Sequence, residues 1–286
     1  KDYSNIIDGR LYAALQEYLS EEHTFAQHKE FLQDFASLEG EIQSLSSTEH
    51  LDLVTVDCED LKRSLVERSR SLCHLLLVAV IEEHKVENHQ ICRLFELIKE
   101  KADNIPKTTE ELFTLSHYME EVRTKKMGPL RQRVQDSASR LMYLIDRFIF
   151  NEADMAMNSQ VLTWPDRIMP IFDANDLMME EARREGELKL IEARNKLVND
   201  LARLHTRVEE FCDYGELHMI QHYVHDTRAV QKKLAELANQ IEWIHKEESM
   251  YKFPTTEYPE WDAISTALEP FAKFFNTVLK WQRCEK

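Results

Sequence analysis

Three imidazoles have a spacing that could do chemistry. His218, His222 and His225 stand at i, i+4 and i+7, so a helix places them on one face. Neutral imidazoles there could hold zinc. The glutamate of a His-Glu-x-x-His motif is absent, however. The simpler reading is a solvated strip beside an apolar seam through Ile220 and Tyr223. A di-iron bundle needs two Glu-x-x-His motifs, and Glu242 to His245 supplies one.

Nucleophilic chemistry has less to work with. No Gly-x-Ser-x-Gly occurs. The cysteines are Cys58, Cys73, Cys92, Cys212 and Cys284, an odd number without a Cys-x-x-Cys. That pattern suits a reducing compartment and thiols used as small apolar residues. Cys73 adjoins His74, but adjacent helix positions diverge, so Cys73 is expected in a core. Glu82, Glu83 and Glu87 read as helix-surface charge with His84 or Lys85 as partners. Met155, Met157, Met169, Met178 and Met179 read as gap-fillers of an irregular core. The sequence therefore assigns no catalytic, cofactor-binding or metal-binding residue.

The elements that would position any site are helices. Among 286 residues there are only 5 glycines and 7 prolines, against roughly 20 glycines at average usage. Gly9, Gly40, Gly128, Gly186 and Gly215 are scattered, which excludes a P-loop and a dinucleotide fingerprint. Few turns mean long elements. A net charge of −16 disfavours nucleic acid and anionic membrane as partners. The apolar run from Leu75 to Ile81 is too short to span a bilayer. No signal peptide is visible, and a start at Lys1 reads as a fragment or a processed chain.

The expected fold is all-α: elongated helical bundles with a long antiparallel, coiled-coil-like hairpin. Residues 1–104 form an N-terminal bundle segment. Leu11, Leu15, Tyr18, Phe25, Leu32, Phe35 and Ile42 share one helical face. Residues 51–56 have no helical period and are left unassigned. A helix opens near Asp57, with Leu61, Leu65, Leu72, Leu75, Leu76 and Ala79 inward. Residues 105–172 hold central helices and an irregular Trp164-Pro165 region. Thr108 to Glu111 has the capping-box pattern, and Gly128-Pro129 is a candidate kink. Short helices and turns are expected over 150–176.

Residues 173–250 form the hairpin. One arm carries Leu177, Leu188, Ile191, Leu197, Leu201, Leu204, Val208 and Phe211, with a heptad shift between Ile191 and Leu197. The other carries a regular seam from Ile220 to Ile244. Gly186 lies inside the first arm as a candidate flexible point. Residues 251–286 are a connector, Phe253 to Pro259, and an aromatic-faced helix with Ile264, Leu268, Phe271, Phe275, Val278 and Trp281.

Several landmarks then fall in a recognisable order. Asp57-Cys-Glu-Asp-Leu-Lys62 opens a long helix, and Ile105-Pro-Lys-Thr-Thr-Glu-Glu-Leu112 starts the next. Trp164-Pro165, a charged hairpin, Thr256-Glu-Tyr-Pro259 and Lys280-Trp281 follow. This order resembles the stem of dynein heavy chains just before the linker and motor ring, with the axonemal branch closest. The resemblance implies a structural part of a microtubule motor that connects the anchoring tail to the linker and transmits force. It implies no catalysis and no cofactor in these residues, ATP and Mg belonging to the motor. The implied partners are the linker and motor ring of the same chain and other dynein subunits or accessory chains. The implied location is cytoplasm and cytoskeleton, at the axoneme of a cilium. The competing reading is a non-motor helical adaptor or tether, spectrin-like or of the vesicle-tether class.

Overall fold

The computed structural model describes residues 3–284. The fold is all-α, with one small hairpin of strands among the described residues. The chain divides into two compact units. The first comprises Lys1–Glu100 and Val122–Pro170. The second comprises Lys101–Glu121 and Ile171–Lys286.

The first unit begins with a single turn, α1 (Ser4–Ile7), then α2 (Arg10–Leu19) and α3 (Phe25–Gln43). The sequence face from Leu11 to Ile42 is thus carried by two helices rather than one. Thr24 separates them. Its hydroxyl accepts from the Gln27 amide, while the Gln27 side chain accepts from the Thr24 amide. This reciprocal cap starts a new helix where the apolar period alone continues unbroken. Strands β1 (Thr48–Leu51) and β2 (Val54–Asp57) pair antiparallel over the segment that has no helical period.

Helix α4 (Glu59–Ala102) follows, with the Asp57 carboxylate accepting from the Glu59 amide at its start. Leu65, Leu72, Leu76, Val80 and Ile81 are buried on it, but Leu61 is exposed and faces away. Leu15, Leu32, Phe35, Leu144 and Phe150 close the core around its middle. Helix α6 (Met127–Leu144) is preceded by a wide π turn, Val122–Lys126. Pro129 follows at once. Its ring cannot keep a tight contact with the carbonyl of Lys125, and a widened turn relieves that conflict.

Helix α7 (Glu152–Glu209) corrects one expectation: residues 152–176 are continuous helix, not short helices and turns. Pro165 and Pro170 lie inside it. Each removes a backbone donor, at roughly 3 kcal/mol in a helix interior. Burial offsets that penalty. Val161, Trp164 and Ile168 are buried along one face, and Trp164 stacks flat on Phe95 of α4 at 5.3 Å. Large buried side chains contribute roughly 1.5–3 kcal/mol each.

The second unit holds α5 (Thr109–Glu121), the rest of α7, α8 (Ile220–Tyr251) and α9 (Pro259–Cys284). Thr108 caps α5 through its hydroxyl, accepting from the Glu111 amide at 3.2 Å. The Glu111 carboxylate returns to the Lys107 amide, one residue earlier than a strict capping box. Arg194 of α7 meets Glu248 of α8, and Arg207 meets Asp226, so the two arms are antiparallel. One core joins α7, α8 and α9 through Leu197, Leu201, Phe211, Leu237, Ile264 and Phe275.

The heptad shift on α7 also resolves differently. Leu190, Leu197, Leu201, Leu204, Val208 and Phe211 keep a regular inward seam. Leu177, Leu188 and Ile191 lie on another face and are 69%, 60% and 49% exposed. Two faces of one helix had merged into one apparent stutter.

Candidate functional site

The feature that best organises the second unit is the return from α8 to α9. Lys252 caps α8 in the left-handed conformation, φ 58°. The Phe253 amide then donates back to the Glu248 carbonyl at 2.8 Å. This turns the connector over the end of α8, where Glu248 waits. Its side chain is fully buried. Arg194 donates to Oε1 from Nε at 2.8 Å and from its terminal nitrogen at 2.6 Å. Thr256 donates its amide to Oε2 at 2.9 Å and its hydroxyl to Oε1 at 2.7 Å. Burial alone would raise the Glu248 pKa. The Thr256 donors and the Arg194 charge outweigh it and hold the carboxyl below its usual range.

Helix, connector and helix are joined by that one carboxylate. His245 adds to it by donating Nε2–H to the Thr256 carbonyl at 2.9 Å. Pro259 stands at the first position of α9, where its missing donor is not needed. Trp261 donates its indole N–H to the Leu234 carbonyl of α8 at 3.1 Å. At the far end of α9, Gln282 donates to the Leu217 carbonyl at 2.9 Å. Both ends of α9 are therefore fastened, with an apolar seam between them. Helix α5 joins near the same place: Thr109 donates to Glu247 at 2.5 Å, and Phe113 meets Tyr251 edge-on at 5.5 Å.

A second polar clasp closes the turn between α7 and α8. Asp226 accepts from Arg207 at 2.8 Å and from the Tyr214 hydroxyl at 3.1 Å. The Tyr214 ring stacks on Tyr223 at 4.2 Å. Of the histidine strip, His222 lies 3.5 Å from Asp226, His218 pairs with Glu216 at 3.3 Å, and His225 is 81% exposed. The structure thus distributes the three imidazoles over two carboxylates. No group of three or more metal-ligating side chains stands together among the described residues.

The first unit has its own polar layer. His84 and Asn88 of α4, Ser137 of α6 and Asn158 of α7 are all buried. His84 Nε2 donates to Asn158 Oδ1 at 2.8 Å, and the Asn88 amide donates to the same oxygen at 2.7 Å. Ser137 donates to Asn88 Oδ1 at 2.5 Å. Burial pushes the His84 pKa down, which keeps the ring neutral. Beside the layer, Arg133 donates to both oxygens of Glu87 at 2.7 and 2.9 Å, holding that carboxyl below its ordinary range.

The carboxylates at 82, 83 and 87 divide accordingly. Glu82 pairs with Lys85 on its own helix at 3.1 Å. Glu83 reaches His28 of α3, and Glu87 reaches α6. Cys73 is half-buried, with its thiol pushed up by burial, and Cys92 is buried. Met155 and Met169 are 41% and 43% exposed, so these two fill no core. No motif in the sequence marks the Glu248 clasp. Its signal is the Thr256 hydroxyl in a proline-flanked connector, legible only once α8 and the connector are folded together.

No protein-family model matches the chain. Individual relatives do. Dynein axonemal heavy chain 12 of Rattus norvegicus is 39% identical over 285 residues, 100% of this chain. The Homo sapiens protein of that name is 40% identical over 284 residues, 99% of this chain. Dynein axonemal heavy chain 3 of Homo sapiens is 23% identical over 283 residues, 98% of this chain. The chain spans about 9% of the length of the first two and 6% of the third. Along its whole length, then, this chain is homologous to a short segment of axonemal dynein heavy chains.

Proposed function

We propose that this chain is a stem segment of an axonemal dynein heavy chain, connecting the anchoring tail to the linker and passing force between them. The observation that carries the reading is the junction at Glu248, which ties α7, α8 and the connector into α9, with Gln282 tying the far end of α9 to Leu217 just before α8. A pull on α9 is shared by a continuous apolar seam and two fastened ends. Homology over the whole chain supports the assignment to a motor heavy chain.

On this reading ATP and Mg belong to other parts of the heavy chain, and the segment itself carries no catalysis. Its partners are the linker and motor ring of the same chain, with other dynein subunits or accessory chains on its outer faces. Its place is the cytoskeleton, at the axoneme of a cilium. No helix of the described residues is long and apolar enough to cross a membrane.

The test uses a whole heavy chain carrying Glu248→Ala with Thr256→Ala. Loosening the junction is expected to slow microtubule gliding while ATP turnover by the motor is kept. Gliding and turnover both unchanged, or both lost together, would overturn the force-transmitting role.

A further inference from the structure

The strands β1 and β2 stand apart from everything else in the first unit. All eight of their residues are exposed. The register pairs Glu49 with Val56 and Leu51 with Val54, so these four side chains share one face. Thr48, His50, Thr55 and Asp57 share the other. The first face is apolar apart from Glu49, and it is open: Leu51 is 62% and Val54 61% exposed, with Leu53 at the tip 98% exposed.

Such a hairpin is incomplete by itself. Two strands alone are marginal in water, and a third strand or a packed helix is what normally stabilises them. Its turn adds little. The two-residue loop Asp52-Leu53 has no residue with positive φ, whereas the loops that match strand twist need one. The base is well fixed: the Cys58 amide donates to the Ser47 carbonyl at 2.7 Å, and Lys62 donates to the Leu45 carbonyl at 2.9 Å.

The edges differ. On β1, Ser46 occupies the outer side, donating to the Thr48 carbonyl at 2.7 Å and accepting from the Thr48 amide at 3.3 Å. On β2, antiparallel alternation turns the backbone groups of Thr55 and Asp57 outward. That edge is the more open one, since on β1 the outward groups of His50 alone are left beside the Ser46 contact with Thr48.

Charge then selects the occupant. Between Lys29 and Lys62 there is no lysine or arginine, but Glu30, Asp34, Glu39, Glu41, Glu49, Asp52, Asp57, Glu59 and Asp60 all fall there. Asp60 pairs with Arg63 and Glu39 with Arg70, both on α4. Glu49 and Asp52 have no ion pair among the described residues, and both lie at the hairpin. We infer that this hairpin docks an extended, basic segment of a partner polypeptide, added as a third strand on the outer edge of β2. An apolar side chain would cover Leu51 and Val54, a basic one on the same face beside Val56 would reach Glu49, and another would meet Asp52 at the tip. The inference stands independently of the motor reading.

The test uses this chain and a fluorescent peptide whose alternate positions carry valine and lysine in turn, so that both lie on one face, with threonine between them. Anisotropy should show binding, and hydrogen exchange should slow at the Thr55 and Asp57 amides. Thr55→Pro removes an outward backbone donor and the exposed hydroxyl contact with His50, leaving the backbone ladder between the strands in place, and it should weaken binding at least about tenfold. The same loss is expected when the peptide is N-methylated on its edge-facing amides, which leaves the protein untouched. Glu49→Lys with Asp52→Lys should reverse the preference toward a glutamate-valine peptide. Binding that ignores both Thr55→Pro and N-methylation would overturn the inference, as would no binding at all. Protection of β2 that grows with protein concentration and needs no peptide would also overturn it, in favour of a second copy of this chain.

Discussion

Gly186 on α7 and Tyr251 at the end of α8 approach so closely that a Cβ on Gly186 would lie 2.0 Å from the tyrosine Oη. The glycine is not a flexible point in α7. It is the notch that lets a buried tyrosine lie against the helix backbone, where Phe113 and Phe253 complete its surroundings.

Gly186→Ala should therefore destabilise the chain although alanine is the better helix former. The propensity gain is about 1 kcal/mol, and forcing Tyr251 out of place costs about 1–3 kcal/mol. The Tyr251 hydroxyl has no hydrogen-bond partner among the described residues, so Tyr251→Phe alone should be close to neutral. Adding it to Gly186→Ala should recover part of the loss. Urea denaturation of the three variants measures all of this, and a more stable Gly186→Ala variant would refute the notch.

Glu248→Gln should lower stability by about 1.5–3 kcal/mol, since it replaces the charge-assisted hydrogen bonds with Arg194 by those of a neutral amide. The pH dependence has a defined sign. The folded pKa of Glu248 is depressed, so its contribution is complete above the unfolded value of about 4.3 and is lost as pH falls through the lower folded value. Denaturation curves of wild type and Glu248→Gln should converge over that acid window and stay apart at neutral pH.

His84 works at higher pH. Its folded pKa is lowered by burial, so the unfolded chain takes up the proton first, near about pH 6.5. Stability contributed by the neutral ring is present above that pH and declines as pH falls toward the folded value. His84→Gln should flatten this part of the profile relative to wild type. Parallel profiles for the two proteins would show that His84 does not carry the effect.

Trp164→Ala should destabilise the chain by about 3–5 kcal/mol. The ring is 2% exposed and stacked on Phe95, with Arg167 over it at 4.8 Å. Loss of helical signal on mild heating would show that this stack keeps α7 continuous through Pro165 and Pro170. An unchanged melting curve would contradict that account.

Much of the fold was legible because helical period and caps are local. Leu201, Val208, Leu234 and Leu237 fall on the expected seams, and Pro259 opens the last helix. The failures share a cause. Pro165 and Pro170 break a helix on local grounds, and Trp164 against Phe95 overrides them through a contact 69 residues away in sequence. Thr24 marks a helix start that the apolar period hides. Leu188 and Leu190 are two residues apart and serve different faces, which one sequence period cannot display. The Glu248 clasp depends on Arg194, 54 residues upstream, and on a connector whose path nothing local specifies.

The buried layer of His84, Asn88, Ser137 and Asn158 has a mechanical consequence. An apolar seam repeats, so a helix slipped by one heptad finds new holes for its knobs. A unique set of donors and acceptors has no second position. Sliding α4 one turn along α7 toward Val161 would strand Asn88 and His84 opposite an apolar side chain, at the full desolvation penalty of each group. Within the first unit the layer acts as a detent: shear along the helix axes meets one deep stop, and the neighbouring alignments are closed to it.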